Sequence, residues 1–311
     1  MRCHVIPETK PLEPLEAHRK AVFGLCYRMT GSAADAEDLV QETWCRALER
    51  PPADRDAPLR PWLFTVATNL CIDALRKRKR ERYFGPWLPS PVESERLDDV
   101  EPSPEARYTA LESASAAFLL ALEALDPKQR AVLILRDVLG MSGPEAAEVL
   151  AISPENARVI LHRARKALES YDAERNPPTE PTRSATHLAL RRFMAAFAMG
   201  DFDALREILA EDCRTITDAA GEYHAAVRVV RGREQVIELY KNVMRMNELP
   251  TWLEERDVNG LPAIALERPT HGKRFASRMV LQVELDRAGR IARVYGVMAA
   301  RKLCAVRFPA G

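Results

Sequence analysis

The sequence predicts a multidomain chain, all-α in its first 175 or so residues and α+β beyond, on three observations. Helical periodicity runs from Pro11 to Tyr83 and again from about Ala106 to Tyr171. Two Pro-rich breaks interrupt it, GPWLPSPVESERLDDVEPSPE (85–105) and ERNPPTEPTRS (174–184). Past the second break, short alternating runs replace the helical period, as an antiparallel sheet requires. The 311 residues suffice for two or three domains with cores of their own. Lys+Arg 46 against Asp+Glu 45 leaves a net charge of +1, and 47% hydrophobic with 29% charged residues excludes wholesale disorder. No apolar run approaches the ~18 residues of a membrane span. The opening MRCHVIPETKPLEP lacks the apolar stretch and cleavage site of a secretory signal. Six cysteines, at 3, 26, 45, 71, 213 and 304, form no CxxC or zinc spacing and suit free thiols in a reducing cytoplasm.

Breaks at Gly31-Ser32 and RPPADRDAPLRP (50–61) divide the first helical stretch. In ADAEDLVQETWCRAL (34–48), Ala36, Leu39, Val40, Thr43, Trp44, Ala47 and Leu48 fall on one side at 100° per residue. Asp35, Asp38, Gln41 and Glu42 gather on the other. That face is either a solvated surface or an acidic dock for a basic partner. In RPWLFTVATNLCIDALRKRKRER (60–82), steps of three and four put Trp62, Thr65, Asn69, Asp73, Arg76 and Arg80 on one stripe. Phe64, Ala67, Cys71, Ala74 and Leu75 lie opposite as core. A ring to stack on an unpaired base, polar groups for base edges and cations for phosphates suit a nucleic-acid surface. A helix dipole also favours a basic C-terminal end, but five consecutive cations exceed what a dipole needs.

The second helical stretch ends in two helices. Ser142 and Glu145 make a capping box, and that helix ends near Leu150. After a three-residue break, Ser153 is the N-cap of the next helix and Pro154 its first residue. So short a turn is a helix-turn-helix signature. On the second helix Ala157, Ile160, Leu161, Ala164 and Leu168 face inward, while Glu155, Arg158, His162 and Arg165 form an outward stripe. Beyond the connector come helices at about 186–199, 202–210 and 233–246. Strand-like runs are CRTITDA, GEYHAAVRVV, TWLEERDV, PAIALER, ASRMVLQVELD and RIARVYGVMAA.

These segments resemble bacterial sigma factors of the extracytoplasmic-function group over about 15–171. DAEDLVQETW is similar to the polymerase-clamp-binding helix of region two, PWLFTVATNLCIDALRKRKR to the promoter-melting helix, and SPENARVILHRARKAL to the region-four recognition helix. GPWLPSPV resembles the linker of a subgroup that carries a C-terminal SnoaL-like domain, and 184–304 resembles that domain. The resemblance implies a region 2 bundle (11–84), a linker (85–110), a region 4 helix-turn-helix (111–173), a connector (174–184) and a SnoaL-like α+β cone with a curved antiparallel sheet (185–306).

It further implies that Asp35, Asp38, Gln41 and Glu42 bind core RNA polymerase. Trp62, Thr65, Asn69, Asp73, Arg76, Lys77 and Arg80 would open the minus-ten element, and Ser153, Glu155, Asn156, Arg158, His162 and Arg165 would read the minus-thirty-five element. The implied partners are core polymerase (beta-prime clamp and beta flap), promoter DNA and a small-molecule ligand of the cone, with no membrane, cofactor or metal. Trp87, Leu88, Pro89, Asp218 and Gly221 are expected to carry regulation between domains, through a compact form in which the lobe packs on region two and the linker. The subgroup's glycine-rich loop stands here as Asp218-Ala219-Ala220-Gly221, and its tail motif as Ala299-Ala300-Arg301-Lys302-Leu303. The altered tail gives no basis for carrying over its contact with region two.

SnoaL-like cones include polyketide cyclases that move protons with Asp or His. Asp218, His224 and His271 are the candidates here, but nothing in the sequence brings two together, and no enzyme is expected. The competing readings are a one-component helix-turn-helix regulator that senses a ligand through its cone, and an enzyme of the cyclase type.

Overall fold

The computed structural model describes residues 13–51, 58–78, 83–97, 105–246, 249–269, 272 and 274–309. Among the described residues, four helices come first: α1 (Glu13–Glu16), α2 (Arg19–Thr30), α3 (Ala33–Glu49) and α4 (Leu59–Arg78). Gly31, at φ +66, turns the chain out of α2, and the Ser32 hydroxyl caps α3 by accepting the Asp35 N–H at 3.2 Å. Six further helices follow the linker: α5 (Ala110–Ala114), α6 (Ala116–Ala121), α7 (Pro127–Leu133), α8 (Gly143–Val149), α9 (Pro154–Ala167) and α10 (Glu169–Glu174). Capping boxes at Asp126/Gln129 and Ser142/Glu145 start α7 and α8, and a π turn over Ile134–Val138 extends α7. The two helical regions share one apolar core: Val22, Leu25, Phe64 and Cys71 of the first cluster with Phe118, Val132, Leu133 and Leu161 of the second.

The last part contains α11 (Glu180–Met199), α12 (Phe202–Ile208), β1 (Leu209–Asp218), β2 (Val230–Arg231), α13 (Arg233–Met246), β3 (Trp252–Val258), β4 (Leu261–Glu267), β5 (Arg278–Leu285) and β6 (Ile291–Val297). The strands form one sheet in the order β2-β1-β6-β5-β4-β3. The expected antiparallel sheet is therefore mixed, because β1 and β6 run parallel. They are joined through the whole intervening chain, so no hairpin dictates their direction. Register shifts in β1 and β6–β5 pairing bend the sheet. One face packs on α11–α13 through Phe193, Ile237, Tyr240, Ile264, Leu281 and Val283. The other, with Ala263, Ala265, Val280, Tyr295 and Val297, packs on Leu88 of the linker, Ala116 of α6 and Leu303 of the tail.

Two local expectations need correction. Helix α11 starts at Glu180, inside the stretch read as extended connector, because Thr179 caps it and Pro181 sits in its first turn, where proline fits. GEYHAAVRVV is mostly loop, with strand only at Val230–Arg231. The described part of the linker is packed, with Leu88, Ser90, Val92 and Leu97 buried between the helical half and the sheet.

The β3–β4 hairpin clamps that linker. Its two-residue turn, Asn259 (φ +52) and Gly260 (φ +80), has both residues left-handed, as a type I′ turn requires. Asn259 is buried; its side-chain oxygen accepts the Val92 N–H at 2.8 Å, and its amide donates to the Tyr27 hydroxyl at 2.9 Å. Tyr27 in turn donates to the Ser90 carbonyl at 2.6 Å. A Cβ on Gly260 would lie 2.9 Å from the Leu111 carbonyl oxygen, so the tip admits no side chain. Asn259→Ala should cost about 2–4 kcal/mol, from left-handed strain plus unpaired buried groups. Tyr27→Phe should cost about 1 kcal/mol. Denaturant unfolding of the full chain at constant m-value measures both.

Candidate functional site

The acidic face of α3 is partly covered by the chain's own C-terminal segment. Arg301, in the 3-10 turn Ala300–Ala305, donates to Asp35 at 3.1 Å and approaches Asp38 at 3.8 Å. Glu42 pairs within the helix with Arg46 at 3.0 Å, and Gln41 is exposed. Leu48, expected inside, is exposed, since the helix ends one residue later, beyond the core.

On α4 the expected stripe exists. Asn69, Asp73, Arg76 and Lys77 are exposed, Trp62 is half-buried against the helical core, and Thr65 is half-buried and donates to the Pro61 carbonyl at 3.0 Å. Arg76 pairs with Asp73 at 3.2 Å. Arg80 lies outside the described residues. The basic run is not uniform: Arg78 turns back to the Thr30 carbonyl at 2.6 Å, to Glu123 at 2.8 Å, and over the Trp87 ring.

On α9 the Ser153 hydroxyl accepts the Asn156 N–H at 3.2 Å, and Glu155, Asn156, Arg158 and His162 are exposed around the helix start. Arg165 has a structural partner besides its expected place on the outward stripe. Its guanidinium donates twice, at 2.8 and 2.6 Å, to buried Asp137 on the π turn. A bidentate clamp on a buried carboxylate holds the helix in place, while the Arg165 side chain keeps 42% of its surface exposed.

A buried polar seam joins the parts. Asp218, fully buried at the end of β1, accepts from the Tyr83 hydroxyl at 2.6 Å, the Leu88 N–H at 2.8 Å, the Ala220 N–H at 3.1 Å and Lys302 Nζ at 2.6 Å. Lys302 also donates to the Leu88 carbonyl and lies 4.8 and 4.7 Å from the Tyr83 and Trp87 ring centroids. Burial holds its ammonium below the usual lysine range, against the opposing pull of Asp218. The same burial, with Asp218, drives the Tyr83 phenol up. Trp87 lies so close over Gly31 that a Cβ there would be 2.5 Å from the ring, and Pro89 is buried beside it. Phe84 packs over Gly221.

The catalytic candidates do not meet. Asp218 is committed to the seam, whereas His224 lines a cavity of about 400 Å³ on the helical side of the sheet with Tyr240, Arg268 and Phe275. His271 lies outside the described residues.

Comparison with known proteins agrees with this arrangement. Family models match Sigma-70 region 2 at 15–81, Sigma-70 region 4 at 115–168 and the SnoaL-like domain at 190–294. The ECF RNA polymerase sigma factor SigJ of Mycobacterium tuberculosis is 39% identical over 224 residues, spanning 71% of this chain and 69% of SigJ. The chain belongs to the extracytoplasmic-function sigma factors. SigG of the same organism is 35% identical over 277 residues, covering 81% of this chain and 71% of SigG. The crystal structure of M. tuberculosis SigJ superposes with a TM-score of 0.69 at 28% identity, covering 95% of this chain and 99% of that one. Family membership sets aside the one-component regulator.

Sequence reasoning found Asp218, Gly221, Trp87, Leu88 and Pro89, but missed their partners. Lys302 had a signal, since its tail motif was already noted; Asn259-Gly260 had one too, as a hairpin dipeptide. Arg307 had none: it binds buried Glu93 at 2.9 Å across 214 positions of sequence. Removing one member of the seam leaves an uncompensated buried charge, so Lys302→Met should cost about 3–5 kcal/mol. The pair Asp218→Asn with Lys302→Met should cost clearly less than the sum of the singles, as a double-mutant cycle in denaturant will show.

Proposed function

We propose that this sigma factor engages core RNA polymerase and promoter DNA through three helical surfaces and that its SnoaL-like lobe holds them in a closed, non-engaging arrangement. In this reading Asp35, Asp38, Gln41 and Glu42 of α3 meet the polymerase clamp. Trp62, Thr65, Asn69, Asp73, Arg76 and Lys77 of α4 take the melted minus-ten strand. Ser153, Glu155, Asn156, Arg158 and His162 enter the major groove at the minus-thirty-five element, where a recognition helix presents its N-terminal residues. Region 4 also meets the flap. The protein acts in the cytoplasm, and the lobe is regulatory and not catalytic, because Asp218 is spent on the seam.

The observation that carries the reading is Arg301 seated on Asp35 and Asp38, the very carboxylates assigned to polymerase. Spacing supports it. The two promoter elements lie about 25 base pairs apart, roughly 85 Å at 3.4 Å per pair, whereas the two regions share one core. They must separate to act, and every contact that holds them together lowers the fraction competent to bind. Arg28 on Ser113, Arg130 on the Met29 carbonyl and Arg78 on Glu123 are such contacts, while Arg307 on Glu93 and Glu95, Asn259 on Val92 and the Asp218 seam hold the lobe and tail to the linker between the regions.

Arg301→Glu should strengthen association with core enzyme a few-fold, since exposed pairs contribute about 0–1 kcal/mol. Asp38→Lys with Glu42→Lys should weaken it. Core-enzyme affinity with circular dichroism as a folding check decides: weaker or unchanged binding by a folded Arg301→Glu protein would remove the lobe from this interface. Removing 184–311 should raise promoter-directed transcription several-fold; unchanged output would refute the inhibitory role.

Arg158→Ala should relax base preference at the upstream element, with about 1–3 kcal/mol of lost discrimination. Arg165→Ala should instead lower stability, because it strands buried Asp137. Selectivity profiles and melting temperatures of both variants test that division.

A further inference from the structure

Three arginines form a row across the face of the sheet that meets the sigma regions. Arg214 of β1 stands opposite Arg231 of β2 on one side and Arg293 of β6 on the other, and Glu284 of β5 stands next to Arg293. Directly opposed residues share a face with Cβ atoms about 4.5–5.5 Å apart, where like charges repel. Arg293 is compensated, by Glu284 at 2.8 Å and Glu174 at 3.5 Å. The side chains of Arg214 and Arg231 have no ion-pair or hydrogen-bond partner among the described residues.

Both line a half-open cavity of about 330 Å³ bordered by the sheet, α6, α10 and the connector at Asn176 and Pro178, with Arg214 half-buried and Arg231 exposed at its edge. This volume is at the small end of ligand sites. The other charges lining it are engaged. Buried Glu112 accepts from Tyr171 at 3.1 Å and Arg175 at 3.0 Å, and Glu284 accepts from Tyr295 at 2.6 Å as well as Arg293. Leu120, Ile216 and Val229 supply an apolar wall. The cavity thus combines two adjacent uncompensated guanidinium groups with room for a small apolar body, on the side of the sheet opposite the His224 cavity.

We propose that this cavity binds a small anionic molecule, a phosphate or carboxylate group on a compact apolar body, held in the fork of Arg214 and Arg231. Paired guanidiniums match the geometry of both oxyanions. The walls come from region 4, the connector and the lobe together, so an occupant favours the closed arrangement over the open one, where the walls part. That consequence rests on the in-cis reading above; the binding itself does not.

The test uses the full chain without polymerase, titrated with phenyl phosphate, benzoate and inorganic phosphate by calorimetry and thermal unfolding. Saturable one-site binding of phenyl phosphate or benzoate at millimolar concentration, with a raised melting temperature, is expected. Comparing the two separates a phosphate from a carboxylate ligand, and weaker inorganic phosphate binding marks the apolar wall. Arg214→Gln with Arg231→Gln should lose at least about tenfold in affinity. The same variant should melt higher than wild type without ligand, its like-charge repulsion removed. Arg268→Gln, in the other cavity, should bind as wild type. Arg231→Gln alone, on the edge strand, serves if the double variant does not fold. Binding by none of the three probes, wild-type binding by the double variant, or loss of binding with Arg268→Gln overturns the site. Intact binding in a chain whose transcription ignores the lobe would overturn only the regulatory reading.

Discussion

The closed arrangement depends on one buried carboxylate. Asp218 sits at the end of β1 with no exposure to water, and a charge there is tolerable only when hydrogen-bonded and balanced. Besides Ala220 in the turn that follows, its partners come from distant parts of the chain: Tyr83 at the end of region 2, Leu88 of the linker and Lys302 of the tail. No pair of these segments satisfies Asp218 alone. The charge therefore acts as an assembly condition, under which the sheet, linker and tail come together or leave the carboxylate unpaired. A disruption of about 3–5 kcal/mol is large beside a typical total stability of about 5–15 kcal/mol.

The linker's proline content explains how an irregular segment can be buried at all. A loop inside a protein normally strands backbone donors. In the run Trp87-Leu88-Pro89-Ser90-Pro91-Val92, alternate prolines remove every second N–H in its latter half. Those that remain are met individually: Leu88 by Asp218, Ser90 by the Gly31 carbonyl at 2.8 Å and Val92 by Asn259. The extended backbone that proline imposes also lets its side chains alternate between the helical half and the sheet. Trp87 covers Gly31, while Leu88 enters the sheet's outer cluster.

This explains what was legible in the sequence. Helices with caps and a strong period could be read, because the determinants of Ser32, Ser142 and Ser153 lie within four residues of what they cap. The three outward faces followed from the same period. The linker could not be read from composition, because a Pro-rich run looks the same whether solvated or buried against a partner surface. Arg165 had the spacing of an outward residue, and the π turn that aims Asp137 at it gives it a structural partner that the spacing does not show. The parallel pairing of β1 with β6 is set by distant chain segments, and no local pattern encodes it.

The contacts that hold the closed form differ in kind, and this bears on how it opens. Arg301 on Asp35 and Arg307 on Glu95 are exposed pairs, weak individually and screened by salt within about a Debye length. The Asp218–Lys302 pair and the Asn259 network are buried, so salt reaches them little. On the proposed reading, polymerase competing for Asp35 and Asp38 would displace only the exposed layer at first, a step small enough to occur transiently. Displacing Arg301 also acts on the neighbouring residue, since Lys302 is held under Trp87, the ring that carries Arg78 on α4. Arg78 in turn holds Glu123, which Arg130 of α7 also holds at 2.9 Å. A continuous chain of charge contacts thus runs from the tail through the linker to both helical regions. On the proposed in-cis reading, loosening the tail would weaken the anchorage of the linker, and with it a contact that ties region 4 to region 2, so lobe release and the separation of the two regions would be linked through these contacts.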